Sequence, residues 1–491
     1  MLNHSYFTLN LINSYYLTIH KISVIIMYDI IIIGAGTAGI SAYKEAIKYT
    51  QNILIINAGS WETTCARVGC MPSKLLISSA NRMHEIKNAE TLGLQHDAVV
   101  NTSNVMDRLH KLRDHYIRAT LKEVEQWDSA HKVSGHAKFT NAQTVQVEGK
   151  SYQAKSFIIA VGSRPNFDAT LKDELGDKLL TSDEIFELSH LPKSLAVIGS
   201  GVIAIELAQA MQRLGVRTTM FARSQKIGAL TSPTLQALVR EQLNNELDIK
   251  FKTLPNQVKL LNDQVKIDYI DNDQKQSLEV DYVLSATGRS SNLDRLGLEK
   301  INPEFQDVKK LPINKKTKQL ENLPIFIVGD AAPDVPIQHE AAHNGKEVVQ
   351  NCLNFPDVQP ISALTPLAIV FSQPEMAIIG QSFKQLEEKN TEYIRGFVSY
   401  ERQGRALILA ENKGGAEVYI DKKSGKLLGA ELFCPQAEHL AHMLAWMIDA
   451  EQDIHQILAK PYYHPTLEEG LRTAFKHARR QLDQQEIIEN S

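Results

Sequence analysis

The most informative stretch of the chain is Tyr28-Asp29-Ile30-Ile31-Ile32-Ile33-Gly34-Ala35-Gly36-Thr37-Ala38-Gly39. Its first half predicts a buried parallel strand, because it is a short apolar run that ends at a glycine. Its second half has the pattern Gly-x-Gly-x-x-Gly before a helix. Gly34 would make the turn, Gly36 would let a pyrophosphate approach the backbone, and Gly39 would pack the helix on the strand. The stretch therefore predicts a dinucleotide-binding unit.

The same pattern occurs a second time. The apolar run 194–198 leads into Gly199-Ser200-Gly201-Val202-Ile203-Ala204. Gly34 and Gly199 are 165 residues apart, and so are Asn57 and Ala222, which end the second strand of each unit. Two chance matches would not share both intervals, which argues against glycines that serve helix packing alone. We therefore predict two dinucleotide sites.

Between the two glycine patterns lies a cysteine pair in the stretch Thr64-Cys65-Ala66-Arg67-Val68-Gly69-Cys70-Met71-Pro72-Ser73-Lys74. A straight α-helix would separate these two Cα atoms by about 7.5 Å along its axis, and a disulfide rarely spans more than roughly 7 Å. A bridge between Cys65 and Cys70 therefore requires a bent backbone, and a strained or exposed bridge is easily reduced. Lys74 would favour a nearby thiolate.

The alternatives for the two cysteines are a structural staple or two unrelated buried thiols. With a redox pair, the first dinucleotide site would hold a flavin beside the cysteines, and the second would hold a nicotinamide.

The acidic residue that binds a ribose 2′-hydroxyl in such units is missing from both. Asn57 takes its place in the first unit, where its amide can still donate and accept a hydrogen bond. In the second unit Ala222 stands where the acidic residue would be. Arg223 is the next residue, and Lys226 follows three positions later. Cations without an acid suit a 2′-phosphate and favour NADPH over NADH, although Arg223 could be a solvated loop cation.

Three further apolar strands end at a glycine turn. Gly162 and Gly288 close two similar segments and are suited to returning the chain between domains. The third strand ends at Gly329 and Asp330. Asp330 could present its carboxylate to a ribityl or ribose hydroxyl, or it could be an ordinary helix N-cap.

A histidine and a glutamate stand close together near the end of the chain. Proline disfavours helical conformation in the residue before it, so His464 is expected to project from a loop. Glu469 is expected one turn into the following helix. A carboxylate bonded to one ring nitrogen would orient the imidazole and leave the other nitrogen to move protons. The alternative is an ordinary surface histidine.

The composition excludes several classes of function. The chain has 491 residues, 43% of them apolar, a net charge of -4 and four cysteines. The net charge gives no basic surface for nucleic acid or an anionic membrane. No apolar run approaches the length of a membrane span, and no metal site is predicted. So few cysteines do not suit a secreted disulfide scaffold, so we predict a cytoplasmic protein.

Taken together, these motifs resemble those of the class I pyridine nucleotide-disulfide oxidoreductase family, and within it most closely the dihydrolipoyl dehydrogenases. The resemblance runs from Met27 to about Ala478. It depends on Cys-x4-Cys-x-Pro-Ser-Lys, the two glycine patterns, Gly329-Asp330 and His464-Pro465-Thr466. It implies an α/β fold with two Rossmann-like FAD- and NAD(P)-binding domains and a C-terminal α+β dimerisation domain. It also implies a homodimer.

The resemblance also implies domain limits. We expect a leader or a mis-assigned start at 1–26, an FAD-binding domain at 27–165, an NAD(P)-binding domain at 166–288, a central domain that completes the FAD site at 289–360, and an interface domain at 361–491.

Roles for single residues follow from the same resemblance. Cys65 would be the thiol that exchanges with substrate, and Cys70 would lie against the flavin. Lys74, paired with Glu206, would lie near flavin N5, and Asp330 would bind the ribityl chain. His464 and Glu469 would act on the cysteines of the other subunit. The segment His339-Glu340-Ala341 would lie near the flavin ring.

The expected function is oxidation of dihydrolipoamide with NAD(P)+, with a lipoyl domain of a 2-oxoacid dehydrogenase complex as a candidate partner. Glu62-Thr63-Thr64 replaces the usual Gly-Gly-Thr of the family, and Tyr462 stands where a second histidine is common. The alternatives are an NADPH-dependent reductase of another small disulfide, similar to glutathione reductases, and a flavin-binding protein without turnover. No cysteine follows Cys434, which disfavours mercuric and thioredoxin reductases.

Overall fold

The computed structural model describes residues 27–333 and 336–489, with side chains through residue 484. The prediction of a leader or a mis-assigned start at residues 1–26 lies outside the described residues.

The first unit is a mainly parallel sheet with helices packed on it. Its elements are β1 (Met27–Ile33), α1 (Thr37–Ala46), β2 (Ile53–Asn57), α2 (Thr64–Val68), α3 (Cys70–Lys87), α4 (Thr102–Glu125), β3 (Lys132–Ser134), β4 (Lys138–Asn141), β5 (Thr144–Val147), β6 (Lys150–Ile159) and β7 (Ser163–Pro165). The strand order is β3-β2-β1-β6-β5-β4, and the first four strands are parallel. Ile30, Ile31 and Ile32 are fully buried because both faces of β1 are covered.

The second unit repeats this architecture. Its elements are α5 (Ala169–Leu175), β8 (Leu179–Leu180), β9 (Ser194–Ile198), α6 (Val202–Arg213), β10 (Arg217–Ala222), α7 (Pro233–Asn244), β11 (Asp248–Phe251), β12 (Pro255–Leu261), β13 (Gln264–Asp271), β14 (Gln274–Val280), β15 (Tyr282–Ser285) and β16 (Arg289–Ser291). A parallel sheet has the order β11-β10-β9-β15-β8, and β12, β13 and β14 form an antiparallel sheet. Antiparallel pairing of β16 with β7 joins the two units just after Gly288 and Gly162.

The chain then returns to the first unit. Strand β17 (Ile325–Ile327) pairs in parallel with β6, and helix α8 (Gln338–Asn354) packs on α1. The two helices are very close, since a Cβ on Gly345 would lie 2.2 Å from the backbone oxygen of Ala38. This segment therefore completes the sheet and the helix layer around the first glycine turn.

The C-terminal unit is an antiparallel sheet flanked by helices. Its elements are β18 (Leu367–Val370), β19 (Glu375–Gly380), α9 (Phe383–Glu388), β20 (Tyr393–Ser399), α10 (Gly404–Ile408), β21 (Gly415–Asp421), β22 (Leu427–Cys434), α11 (Ala437–Asp449), α12 (Ile454–Leu458) and α13 (Glu468–Glu489). The strand order is β18-β19-β22-β21-β20. The predicted class, two parallel-sheet α/β units followed by an α+β unit, is confirmed.

A buried arginine connects three parts of the molecule. The Arg213 guanidinium, at the end of α6, donates to both carboxylate oxygens of Glu246, to Asn81 on α3, and to the side-chain and backbone oxygens of Gln373 in the β18–β19 loop. An arginine has five N–H donors, so the group is fully satisfied although it is buried. These bonds hold α3 and the C-terminal unit against α6.

A buried carboxylate forms a second connection. Glu431 on β22 is fully buried and accepts hydrogen bonds from the backbone nitrogens of Thr231, Ser232 and Phe383, and from the Thr231 hydroxyl. The contacts at 231–232 fix the start of α7 to the C-terminal sheet. Arg213 and Glu431, the central group of each connection, are buried charged side chains whose hydrogen bonds are satisfied within the protein.

Candidate active site

Each glycine of the first turn has a distinct geometric reason to be there. Gly34 has a φ of +105°, and a Cβ on it would lie 2.4 Å from the backbone oxygen of Ala160. A Cβ on Gly39 would lie 1.9 Å from the oxygen of Gly34, so only glycine lets α1 pack this closely. A Cβ on Gly36 would meet no atom within 4 Å. The space in front of Gly36 is therefore open to a ligand.

The first two positions of the second turn have the same geometry. Gly199 has a φ of +132°, and a Cβ on it would lie 2.4 Å from the oxygen of Ala286, whereas a Cβ on Gly201 would meet nothing within 4 Å. Ala204 is fully buried in the first turn of α6. Gly36 and Gly201 are the N-caps of α1 and α6 and provide no side-chain cap. The free N–H groups of both helices suit a pyrophosphate, so both cradles fit a dinucleotide.

Asn57 has a structural role in the first cradle. Its Oδ1 accepts from the backbone nitrogen of Ala35 at 3.0 Å, and its Nδ2 donates to the backbone oxygen of Ser60 at 2.7 Å. The Asn57 amide thus stabilises the glycine turn through the backbone of Ala35. Its predicted contact with a ribose stays a prediction.

The corresponding position of the second cradle is apolar. Ala222 is buried at the end of β10, whereas Arg223 and Lys226 are exposed. The hydroxyl of Ser200, inside the glycine turn, donates to the backbone oxygen of Lys226 at 2.9 Å. The loop that carries both cations therefore lies against the second cradle.

The two cysteines lie on separate helices. Helix α2 ends and α3 begins at Gly69, whose φ of -123° and ψ of -119° are not helical. Thr63 caps α2 by accepting from the nitrogen of Ala66. This break is the bend that the spacing of Cys65 and Cys70 requires, and it brings the two side chains into hydrogen-bond contact.

The paired thiols are not equivalent. The hydrogen bond from Cys65, followed by the charge of Lys74, lowers the pKa of Cys70 to about 7. The same hydrogen bond and burial raise the pKa of Cys65. In the reduced pair, Cys70 is therefore the thiolate and Cys65 the thiol that stabilises it.

Lys74 links the cysteine helix α3 to the helix of the second cradle. Its Nζ donates to Glu206 Oε2 at 2.7 Å and lies 4.6 Å from the centre of the Phe371 ring. Glu206 is buried on α6, and its other oxygen accepts from the backbone nitrogen of Phe371 at 2.9 Å. The pair thus holds the cysteine helix α3 against the helix that opens the second cradle.

Asp330 lies beside the first cradle. It belongs to the short turn Gly329–Ala331, and Ile337 is the N-cap of α8, so the N-cap alternative for Asp330 is wrong. Asp330 Oδ2 accepts from the hydroxyl of Ser163, the residue after Gly162.

Gly329 brings the helices around the cradle together. A Cβ on Gly329 would lie 3.0 Å from Cβ of Ala38 on α1 and 3.4 Å from Cβ of Ala341 on α8. The start of α8, with His339 and Ala341, is therefore close to the start of α1. The remaining predicted glycine, Gly288, accepts from the backbone nitrogen of Asn166 where the chain passes between the units.

His464 and Glu469 form a pair at the surface. His464 Nδ1 lies 3.1 Å from both carboxylate oxygens of Glu469, and the backbone nitrogen of Thr466 donates to the same carboxylate. The Thr466 hydrogen bond, followed by that of His464, lowers the pKa of Glu469. The His464 side chain is 81% exposed. Among the described residues of one chain, no hydrogen bond joins His464 to either cysteine.

Comparison with known proteins identifies the family. A family model described as pyridine nucleotide-disulphide oxidoreductase matches residues 28–351. The chain belongs to this family. The dimerisation domain of the pyridine nucleotide-disulphide oxidoreductases matches residues 367–475, which span the antiparallel C-terminal sheet. This family uses FAD and a pyridine nucleotide, and its dimerisation domain supports a homodimer.

Several curated relatives cover nearly the whole chain. A dihydrolipoyl dehydrogenase from Geobacillus stearothermophilus is 28% identical over 450 residues, which are 90% of this chain and 94% of that protein. A mercuric reductase from Lysinibacillus sphaericus is 28% identical over 456 residues, which are 91% of this chain and 82% of the relative.

Solved structures show the same fold. The HOCl-induced flavoprotein disulfide reductase RclA from Escherichia coli superposes with a TM-score of 0.73 at 18% identity, covering 92% of this chain and 99% of that one. LpdA from Mycobacterium tuberculosis gives a TM-score of 0.74 at 19% identity with the same coverage.

The sequence did not predict every residue at the site of this flavoprotein oxidoreductase. Phe371, whose ring and backbone nitrogen contact Lys74 and Glu206, comes from the C-terminal unit, and no local pattern marks it. In the part of the chain that the structure describes, no helix is long and apolar enough to cross a membrane. No cluster of three metal-binding side chains occurs there either.

Proposed function

We propose that this oxidoreductase is a dihydrolipoyl dehydrogenase that oxidises a small dithiol and reduces NAD(P)+. The observation that carries the proposal is the position of the cysteine helix. Lys74, one turn after Cys70, is bonded to Glu206 on the helix that opens the second cradle. This contact supports a path in which electrons pass from the cysteine pair to one dinucleotide and on to the other.

The two cradles suggest which residues would hold the cofactors. Gly34, Gly36 and Gly39, with Asp330 beside them, would hold FAD, and the turn at Gly199 and Gly201 would hold the nicotinamide nucleotide. When bound, FAD supplies the two-electron relay between Cys70 and the nicotinamide.

The protein residues would carry out the thiol chemistry. The partner subunit's His464 accepts a proton from one substrate thiol, and the resulting thiolate attacks Cys65. The bond between Cys65 and Cys70 breaks, and its electron pair goes to Cys70, which leaves as a thiolate. The second substrate thiol passes its proton to Cys65 as it closes the substrate disulfide, and Cys65 is released as a thiol. The substrate loses two electrons, and the cysteine pair gains them.

Steady-state assays test this proposal. We expect turnover of dihydrolipoamide with NAD+ or NADP+, and we expect Cys65→Ser to abolish it while the protein keeps its yellow cofactor. Absence of turnover with both nicotinamides would exclude a dihydrolipoyl dehydrogenase. A silent Cys65→Ser variant would indicate a flavin-binding protein without disulfide chemistry.

A second candidate is an NADPH-dependent reductase of another small disulfide. Exposed Arg223 and Lys226 beside the second cradle, with buried Ala222 in place of an acid, favour it. Rapid turnover of glutathione disulfide with NADPH, in the absence of dihydrolipoamide activity, would support this candidate. A lipoyl domain would be the macromolecular partner of the first candidate only, and the cytoplasm suits both.

A further inference from the structure

The segment that carries His464 is held by two side chains from the segment that follows β20. We define the histidine loop as residues 463–469. Tyr400 Oη donates to the backbone oxygen of Leu467 at 3.1 Å, and Gln403 Nε2 donates to the backbone oxygen of Thr466 at 2.6 Å. Two consecutive carbonyls of the histidine loop are thus fixed from the segment that follows β20.

Tyr400 fits closely against the base of the loop. Its side chain is fully buried, and a Cβ on Gly470 would lie 2.6 Å from its hydroxyl oxygen. The phenol therefore lies directly on the first turn of α13. Burial, followed by the charge interaction and hydrogen bond with Cys434, raises the pKa of Tyr400 well above its usual value. The hydroxyl therefore stays protonated and can donate a hydrogen bond to Leu467.

Gln403 is held at both ends of its amide. Its Oε1 accepts from the backbone nitrogen of Ala406 at 2.7 Å and caps α10, while Nε2 reaches the histidine loop. The segment itself is anchored to the sheet, because the backbone nitrogen of Tyr400 donates to the oxygen of Gly414. The Nε2 donor of Gln403 is therefore held in the direction of the Thr466 carbonyl.

The backbone held by Tyr400 and Gln403 is connected to His464 through the carboxylate of Glu469. The backbone nitrogen of Thr466 donates to the Glu469 carboxylate, which in turn lies 3.1 Å from His464 Nδ1 through both oxygens. A shift of the 466–467 backbone would therefore move the carboxylate and the imidazole together.

We propose that Tyr400 and Gln403 are positioning residues that hold the His464–Glu469 pair in place for proton transfer with the dithiol substrate. This inference rests on the proposed role of His464. Neither side chain takes part in the bond changes of the proposed chemistry. A displacement of about 1 Å can reduce a rate by roughly a hundredfold, so the two hydrogen bonds would matter for the rate as well as for stability.

The test separates the two half-reactions in the FAD-loaded homodimer. Tyr400→Phe removes only the hydroxyl, and Gln403→Ser keeps an oxygen to cap α10 but cannot reach Thr466. We expect anaerobic stopped-flow reduction by dihydrolipoamide to slow roughly tenfold in each variant. Reduction by NADH or NADPH, the FAD content and the dimer should remain as in the wild type.

Tyr419→Phe is the matched control. It removes another buried phenol hydroxyl from the same sheet, one that bonds to Glu417 instead of the histidine loop. It should leave both half-reactions unchanged. Equal slowing in Tyr419→Phe, or a parallel fall of both half-reactions in Tyr400→Phe and Gln403→Ser, would overturn the positioning role in favour of a purely structural one.

His464→Gln distinguishes failure of this inference from failure of the proposed function. If His464→Gln is slow with dihydrolipoamide while Tyr400→Phe and Gln403→Ser react at the wild-type rate, only the positioning role is overturned. If His464→Gln itself reacts at the wild-type rate, the assignment of His464 as the base is overturned, and the positioning role with it.

Discussion

Cys70 is influenced in opposite directions by its immediate neighbours. The hydrogen bond from Cys65 and the charge of Lys74 lower its pKa, whereas burial and Glu206 raise it, and the balance is a pKa of about 7. Because this pKa is depressed, the thiolate is present above about pH 7 and is lost as the pH falls through that value. Lys74 thus adds to the effect of the Cys65 hydrogen bond in keeping Cys70 a thiolate near neutral pH.

Replacing Lys74 should move this titration. We expect Lys74→Met to raise the pKa of Cys70, because it removes the cation and leaves the Glu206 carboxylate nearby. The measurement is a pH titration of the ultraviolet thiolate absorbance of the anaerobically reduced protein. Lys87→Met, at the far end of the same helix, is the control and should leave the titration unchanged. An unaltered pKa in Lys74→Met would contradict this account of the charge.

At the scale of elements, the two cradles make the same use of their first two positions. The first position needs a positive φ, and the second faces open space. The third position differs, because a Cβ on Gly39 would lie 1.9 Å from the oxygen of Gly34, whereas Ala204 carries a buried methyl group in the second cradle. A methyl group at the second position should therefore obstruct a ligand, whereas one at Gly39 should obstruct the folding of the first unit.

Two alanine substitutions should separate these effects. Gly201→Ala should fold normally and keep FAD, but raise the KM for the nicotinamide nucleotide roughly tenfold, which corresponds to about 1.4 kcal/mol. Gly39→Ala should lower stability by about 1–3 kcal/mol, because the overpacking of α1 on Gly34 outweighs the gain in helix propensity. Thermal unfolding, the FAD content and the KM provide the comparison. A stable Gly39→Ala variant with full FAD would contradict the packing argument.

Much of the fold could be predicted from the sequence because its signals are local. A glycine turn is specified within six residues, and the spacing of Cys65 and Cys70 predicted a bent backbone between them if they bridge; the structure has that bend at Gly69. The contact of Phe371 with Lys74, and the hydrogen bond from Tyr400 to Leu467, could not be predicted in this way. These residues come from separate elements that only the packing of the C-terminal unit brings together.

For the whole molecule, the exposure of His464 supports the proposal that each active site combines residues of two subunits. Its side chain is 81% exposed, and the dimerisation domain that carries it belongs to a family in which that domain joins two subunits. The proposed chemistry therefore requires cysteines from one subunit and the base from the other.

Mixed dimers test this arrangement. Cys65→Ser and His464→Gln should each be nearly inactive as homodimers. A heterodimer of the two variants should recover one of its two sites, because that site combines the intact cysteines of one subunit with the intact histidine of the other. Dihydrolipoamide turnover by separately tagged and purified heterodimers gives the answer. Sites contained within one chain would leave the heterodimer inactive.

The buried connections of Arg213 and Glu431 determine how such a dimer can move. Swinging the second unit away from the C-terminal unit would break the bonds of Arg213 to Gln373 and those of Glu431 to residues 231–232, although Arg213 would keep Glu246 and Glu431 would keep Phe383. Each hydrogen bond to a charged group contributes about 1.5–3 kcal/mol, so separation of the two units is unfavourable. We expect a nucleotide to bind and leave without a rotation of one unit against the other.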